Sequence, residues 1–250
     1  MDGKHIAIVC PPNSGSIYFN YKQFFSIVLF AVVNAHYQFL YVHVGCQGRI
    51  SDGGVFKHTA FGKATLDQRL HLPEPEPHPG REMRIPYVFL ADDAFPLTEN
   101  ICKPYSTDLN VGSPKRVCNY RISRARRVVE NAFGLLTSVF RILHKTIDLN
   151  LENTKKFVMV CAYLHSFLRR STQNENLYSP PGVFDNEDAD TGIIMPGSWR
   201  NSTVTLTGLQ SMPRNSCRKA KEVRDEFMNY FMSHQGRLAW QDMYLNVNKM

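Results

Sequence analysis

The run Phe24 to Val33 is apolar apart from Ser26, and it constrains the fold more than any other stretch of this chain. It is about half the roughly 20 residues that a membrane span needs, so it must be buried inside protein. Apolar side chains on both alternations mean a strand covered on both faces. A second β-rich run, Tyr37 to Val44, follows across Asn34-Ala35-His36, which predicts an antiparallel hairpin with a tight turn. Ahead of it, His5 to Cys10 is a short apolar run closed by Pro11-Pro12, as for a buried strand that stops where backbone donors run out.

Further along, Val55 to Phe61 predicts a short helix after the glycine-rich turn around Asp52. Four alternate prolines make Pro73 to Gly80 an extended surface loop, and Pro86 to Ala91 is a short strand delivering Asp92 and Asp93 at its C-terminal end. From Ser123, a helix N-cap by type, the period changes to three and four: Ala125, Val128, Val129, Ala132, Phe133 and Leu136 describe a long amphipathic helix. A second helix, Thr154 to Arg170, turns Phe157, Val158, Val160, Cys161, Leu164 and Leu168 toward the core. Residues 171–200 are rich in Asn, Asp, Pro and Gly and read as a linker, and a basic helix from Ser216 to Met232 forms a C-terminal tail over 201–250. Strands followed by helices predict an α/β domain over 1–170.

Composition narrows the function. With 43% hydrophobic and 20% charged residues the chain is ordinary globular, not disordered. The start MDGKHI has no apolar stretch behind a basic flank, so a secretory signal is not expected and the compartment is cytosolic or nuclear. The six cysteines lie far apart with no metal spacing, as reduced thiols would. A formal charge of +7 is modest, but Lys115, Arg116, Arg121, Arg124, Arg126 and Arg127 crowd a segment with no acid, which fits a polyanion partner such as DNA or RNA and equally a solvated helix face.

Asp2, Asp52, Asp92 and Asp93 stand at strand ends or turns, and Glu130 on a helix face beside the basic run. Carboxylates in such places suit a magnesium-type ion, which takes a few hard oxygens and keeps several waters, and two such ions promote phosphodiester displacement. The blander readings stand beside this. Asp52 between Ser51 and Gly53 is also a turn residue, Asp93 a cap, Glu130 an intrahelical partner for Arg126, and His5, His36 and His43 core or surface histidines.

The strings MDGKHIAI, FNYKQFFSIVLFAVVNAHYQFLYVHVG, GRISDGGVF, VFLADDAFPL, NYRISRARRVVENAFGLL and LHSFLRR, in this order, resemble the DDE domain of PIF/Harbinger-type transposases and the nuclease-like animal proteins derived from them. The C-terminal VRDEFMNYF and GRLAWQ are similar to the tail of those proteins. The resemblance implies an RNase H-like mixed sheet flanked by helices, with Asp2, Asp92 and Glu130 as the catalytic acids. With Asp52 as a further ligand, these would hold Mg2+ or Mn2+, and Lys115, Arg116, Arg124, Arg126 and Arg127 would contact DNA phosphates. It also implies a nuclear protein, a Myb-like or helix-turn-helix DNA-binding partner, and an N-terminal region that this chain lacks. Asn34 stands where the pattern often has an acid. Two functions follow: a metal-dependent DNA nuclease, or a silent domesticated scaffold that binds DNA or protein.

Overall fold

The structure, a computed structural model, describes every residue except 51, 108, 171, 189, 202–205, 211–215 and 242–250, and no side chains at 52–53 and 172–174. The chain divides into two compact units, one of residues 1–63, 127–186 and 195–212, the other of 64–126, 187–194 and 213–250. It is a mixed α/β protein with an antiparallel main sheet.

In the first unit, β1 (Asp2–Ala7), β2 (Ser26–Val33) and β3 (Phe39–Gln47) lie side by side, with β10 (Thr207–Gly208) outside β1, in the order β10-β1-β2-β3. Every pairing is antiparallel, where a mixed sheet was expected. Among the described residues, the run that β1 opens has a parallel contact at the bridge from Ile8 to Ile147. β1 begins earlier than the apolar run predicts, because Asp2 already pairs with Ala31.

β2 is central and its Ile27, Val28, Leu29, Phe30 and Ala31 are fully buried. On one face Ile27, Leu29 and Ala31 pack with Val129, Phe133 and Leu136 of α3 (Pro114–Val139) and Val158, Cys161 and Ala162 of α4 (Leu151–Arg170). On the other, Phe30 meets Phe56 and Phe61 of α1 (Asp52–His58) and α2 (Ala60–Leu66) at ring separations of 6.4 and 6.2 Å. Each such side chain removed from water contributes roughly 1.5–3 kcal/mol, which makes β2 the anchor of the unit. Its hairpin turn is tied by Asn34, whose Oδ1 accepts the N–H groups of His36 and Gln38 at 3.0 Å each. The position that the resemblance marks as often acidic thus serves the turn here.

Two element boundaries and one buried face correct the sequence reading. The helix expected over Val55 to Phe61 is two helices, because Thr59 caps the second: its Oγ1 accepts the Gly62 N–H at 2.9 Å. α3 starts at Pro114, with Ser123 in its interior. Proline suits a first helical position because its missing donor would be unpaired there anyway. On α4, Phe157, Val160 and Leu164 are exposed, and the buried face is Val158, Cys161, Ala162, His165, Ser166 and Arg169. α4 is apolar on both sides, so periodicity alone could not tell the faces apart.

Residues 171–200 form α5 (Thr172–Tyr178), the strands β8 (Asn186–Glu187) and β9 (Ile194–Met195), and a 3-10 turn at Ser198–Asn201. In the second unit, β4 (Glu76–Pro77) pairs with β5 (Arg84–Ile85) within the proline-rich stretch. β6 (Phe89–Leu90) runs parallel to β7 (Ile101–Cys102). Cys102, Tyr105, Cys118 and Ile122 make its core with Leu90, Met228 and Phe231. The basic C-terminal helix is present as α6 (Arg218–Met232), with the Cys217 Sγ accepting the Ala220 N–H at 3.4 Å. The rest of the predicted tail lies partly outside the described residues. The six cysteines are free, and no helix among the described residues is long and apolar enough to cross a membrane.

Candidate active site

Asp2 opens β1 and is buried. Its Oδ1 accepts the Gly3 N–H at 2.8 Å and its Oδ2 sits 2.9 Å from Lys4 Nζ. Two residues on along a strand returns to the same face, which is why Lys4 meets Asp2. Lys4 lines a cavity of about 180 Å3 with Glu130, Phe133, Gly134, Thr137, Trp199, Arg200 and Leu206, room for a handful of waters. The first and third candidate acids therefore meet the same small cavity, one of them through its lysine.

Glu130 projects from α3 toward Arg200, 3.9 Å away. Arg200 is held more firmly by Asp185, with Nε donating to Oδ1 at 2.7 Å. Burial alone would raise the Asp185 carboxyl, but the hydrogen bonds from Arg200 and the Gly197 N–H outweigh it and hold it below its ordinary value. The turn that carries Arg200 is pinned by Trp199, whose indole N–H donates to Asn131 Oδ1 on α3 at 2.6 Å.

Asp92 lies in the second unit, just past β6, with its side chain 44% exposed and Arg126 Nη2 3.7 Å from its Oδ2. Asp92 also turns the chain: its Oδ1 accepts the Asp93 N–H, and its carbonyl accepts the Phe95 N–H at 3.1 Å. Asp93 pairs with Lys103 at 3.0 Å. Asp52 is the first residue of α1, and its side chain lies outside the described residues.

The structure thus gathers Asp2, Lys4, Glu130, Arg200 and Asp185 around one cavity and its rim, and describes Asp92 in its own unit. Among the described residues no three His, Cys, Asp or Glu are grouped closely enough to cage a metal. Instead Asp2, Asp92 and Glu130 each have a protein cation beside them. Lys4 was missed in the sequence, although strand alternation from Asp2 is a signal that could have found it. Arg200 and Asp185 had no such signal, because they come from the stretch read as a linker and reach α3 only through the fold.

The basic run is less free than its composition predicts. Arg124 pairs with Glu187 at 2.8 Å and lies 5.3 Å from the Trp240 ring. The Arg126 side chain is 11% exposed, and its Nε is buried with no hydrogen-bond partner among the described residues. Lys115 stands 5.5 Å from the Tyr105 ring, and Lys115, Arg116 and Arg127 are each half-buried. Of the histidines, His5 is a core residue, its Nδ1 2.9 Å from Ser26 Oγ.

A family model described as DDE superfamily endonuclease matches residues 1–166. No curated protein and no solved structure matches the chain. Asp2, Asp92 and Glu130 all fall within the matched residues, which make up well over half of the sequence, and the chain belongs to the DDE superfamily endonuclease family.

Proposed function

We propose that this protein is a metal-dependent nuclease derived from a Harbinger-type DDE transposase, hydrolysing DNA phosphodiester bonds on an RNase H-like scaffold. The observation that carries the reading is the cavity where Glu130 and the lysine partner of Asp2, both among the matched residues, share a wall. An antiparallel β1-β2-β3 sheet with helices on both faces is in keeping with that scaffold.

DDE superfamily endonucleases typically use divalent metals. The donors here fit Mg2+ or Mn2+ in kind: carboxylate oxygens are the hard ligands such ions take. Asp2, Asp92 and Glu130 would hold the ions, with Asp52 in support, and the metal would supply an activated water and a stabilised leaving oxygen. The remaining work belongs to the protein's own cations. Lys4 and Arg200 balance Asp2 and Glu130 in the described arrangement, and each becomes available to a phosphate oxygen once its carboxylate is otherwise engaged. Arg126, with an unsatisfied buried Nε, is suited to an anion, and with Lys115, Arg116, Arg124 and Arg127 it would complete the phosphate contacts. The setting would be the nucleus, with a Myb-like or helix-turn-helix partner to read the sequence.

Cleavage of supercoiled DNA in Mg2+ or Mn2+ tests this. Asp92→Asn and Glu130→Gln are expected to lose at least roughly 100-fold in rate while remaining folded; unchanged cleavage in both sinks the assignment. A second reading, a silent scaffold that binds DNA or a DNA-binding partner, is favoured by the cations beside Asp2, Asp92 and Glu130. That scaffold would bind DNA with no cleavage and no metal uptake.

A further inference from the structure

Four elements of the second unit converge on a cavity of about 370 Å3, within the size range of small-molecule sites. Arg121, Ile122, Arg124 and Ala125 share one face of α3, and Phe227 and Phe231, one turn apart, line the cavity from α6. Leu90 and Cys102, paired across β6 and β7, complete the lining. The walls are apolar, and the charged side chains among these are Arg121 and Arg124, two cations with no acid in the lining to match them.

The two arginines differ in what already holds them. Arg124 pairs with Glu187, Nε to Oε1 at 2.8 Å. Arg121 has no carboxylate partner among the described residues. Its Nη1 donates to the Gly236 carbonyl at 2.9 Å and to Gln241 Oε1 at 3.4 Å, and its guanidinium lies 4.4 Å from the centre of the Phe231 ring. These contacts orient the group and leave its Nε and Nη2 with no hydrogen bond among the described residues. That edge is the one with which an arginine grips a carboxylate through two parallel hydrogen bonds. Arg81 does so in the same unit, its Nε and Nη2 meeting the two Glu226 oxygens at 2.6 and 2.8 Å. Arg121 is half-buried, and burial first and then the neighbouring Arg124 lower its pKa. Two guanidinium groups against the one carboxylate of Glu187 leave a positive charge that an anion in the cavity would balance.

We propose that this cavity binds a small anion with an apolar body, of the aryl or alkyl carboxylate class. The carboxylate takes the Nε and Nη2 edge of Arg121, and the body lies against Leu90, Ile122, Phe227 and Phe231. The apolar body separates this ligand from inorganic phosphate, which would meet the arginines but gain nothing from those walls. Arg121 has no part in the nuclease reading, and the site needs neither metal nor cleavage, so either can fail without the other.

Titration calorimetry of the full chain with naphthoate tests the proposal, with naphthalenemethanol as its uncharged counterpart and inorganic phosphate as the anion without a body. Saturable binding of naphthoate is expected, at least roughly tenfold tighter than that of either control. Arg121→Met, which keeps a long side chain beside Phe231, should remove the preference for the acid over the alcohol. Ala125→Trp, at an exposed position on the cavity wall, should block both. Circular dichroism checks that each variant is folded, and Ala125→Trp decides the matter if Arg121→Met unfolds. The proposal is overturned if naphthoate shows no saturable binding, if the alcohol or phosphate binds as tightly, if folded Arg121→Met still prefers the acid, or if Ala125→Trp leaves naphthoate binding unchanged.

Discussion

Two buried histidines set the pH behaviour of the first unit. His165 on α4 lies with Nε2 2.7 Å from the Tyr37 carbonyl and Nδ1 2.8 Å from the Tyr178 hydroxyl. Burial lowers its pKa to about 4, although the Tyr37 carbonyl pulls the other way. His5 on β1 is lowered to about 4 by burial as well. The unfolded chain, with histidines near 6.5, binds more protons than the folded one between those values. Stability is therefore complete above about pH 6.5 and falls as pH drops toward 4, by on the order of 2–3 kcal/mol per histidine. Chemical denaturation at pH 7 and pH 5 should show the loss, and His165→Gln should roughly halve it, His5 supplying the remainder. A midpoint independent of pH across that window would contradict the burial argument. His5 and its strand were legible in the sequence, but His165 was not singled out, because its partners sit at 37 and 178 and only the fold joins them.

At the scale of elements, apolar runs were the readable part. β2 is buried on both faces as its near-continuous pattern requires, and the hairpin turns where Asn34 caps it. Helix starts were harder. The first turns of α3 carry Lys115 and Arg116 where an apolar stripe would have announced a helix, so only Pro114 signalled the beginning. On α4 the residues read as core fall on both faces: Val158 and Cys161 are buried, while Phe157, Val160 and Leu164 are exposed. Gly134 on α3 shows how closely neighbouring elements depend on one another. A Cβ there would stand 2.2 Å from Cε3 of the Trp199 ring, which is itself buried and held by Asn131. Alanine gains about 1 kcal/mol over glycine in helix propensity, but overpacking against a fixed indole costs about 1–3 kcal/mol. Gly134→Ala should therefore lower Tm by several degrees in calorimetry. A Tm equal to wild type or higher would mean that the Trp199 turn yields without cost.

For the whole molecule, membership of the DDE endonuclease family rests on residues 1–166, and it was legible because six blocks keep their order in the sequence. The ionic arrangement was not. Acids at strand ends announce themselves by position, but the cations that meet them come from an alternate strand residue, Lys4, and from a turn far along the chain, Arg200. Those cations give the account its sharpest consequence: a divalent ion must compete with an ammonium at Asp2 and a guanidinium at Glu130. Titration calorimetry with Mn2+ measures that competition directly. Wild-type protein should take up Mn2+, Asp2→Asn and Glu130→Gln should each lose most of that uptake, and Lys4→Met should bind more tightly than wild type. Mn2+ binding that is absent from the wild type, or untouched by the loss of either carboxylate, would contradict the assignment of these acids to a metal-dependent nuclease.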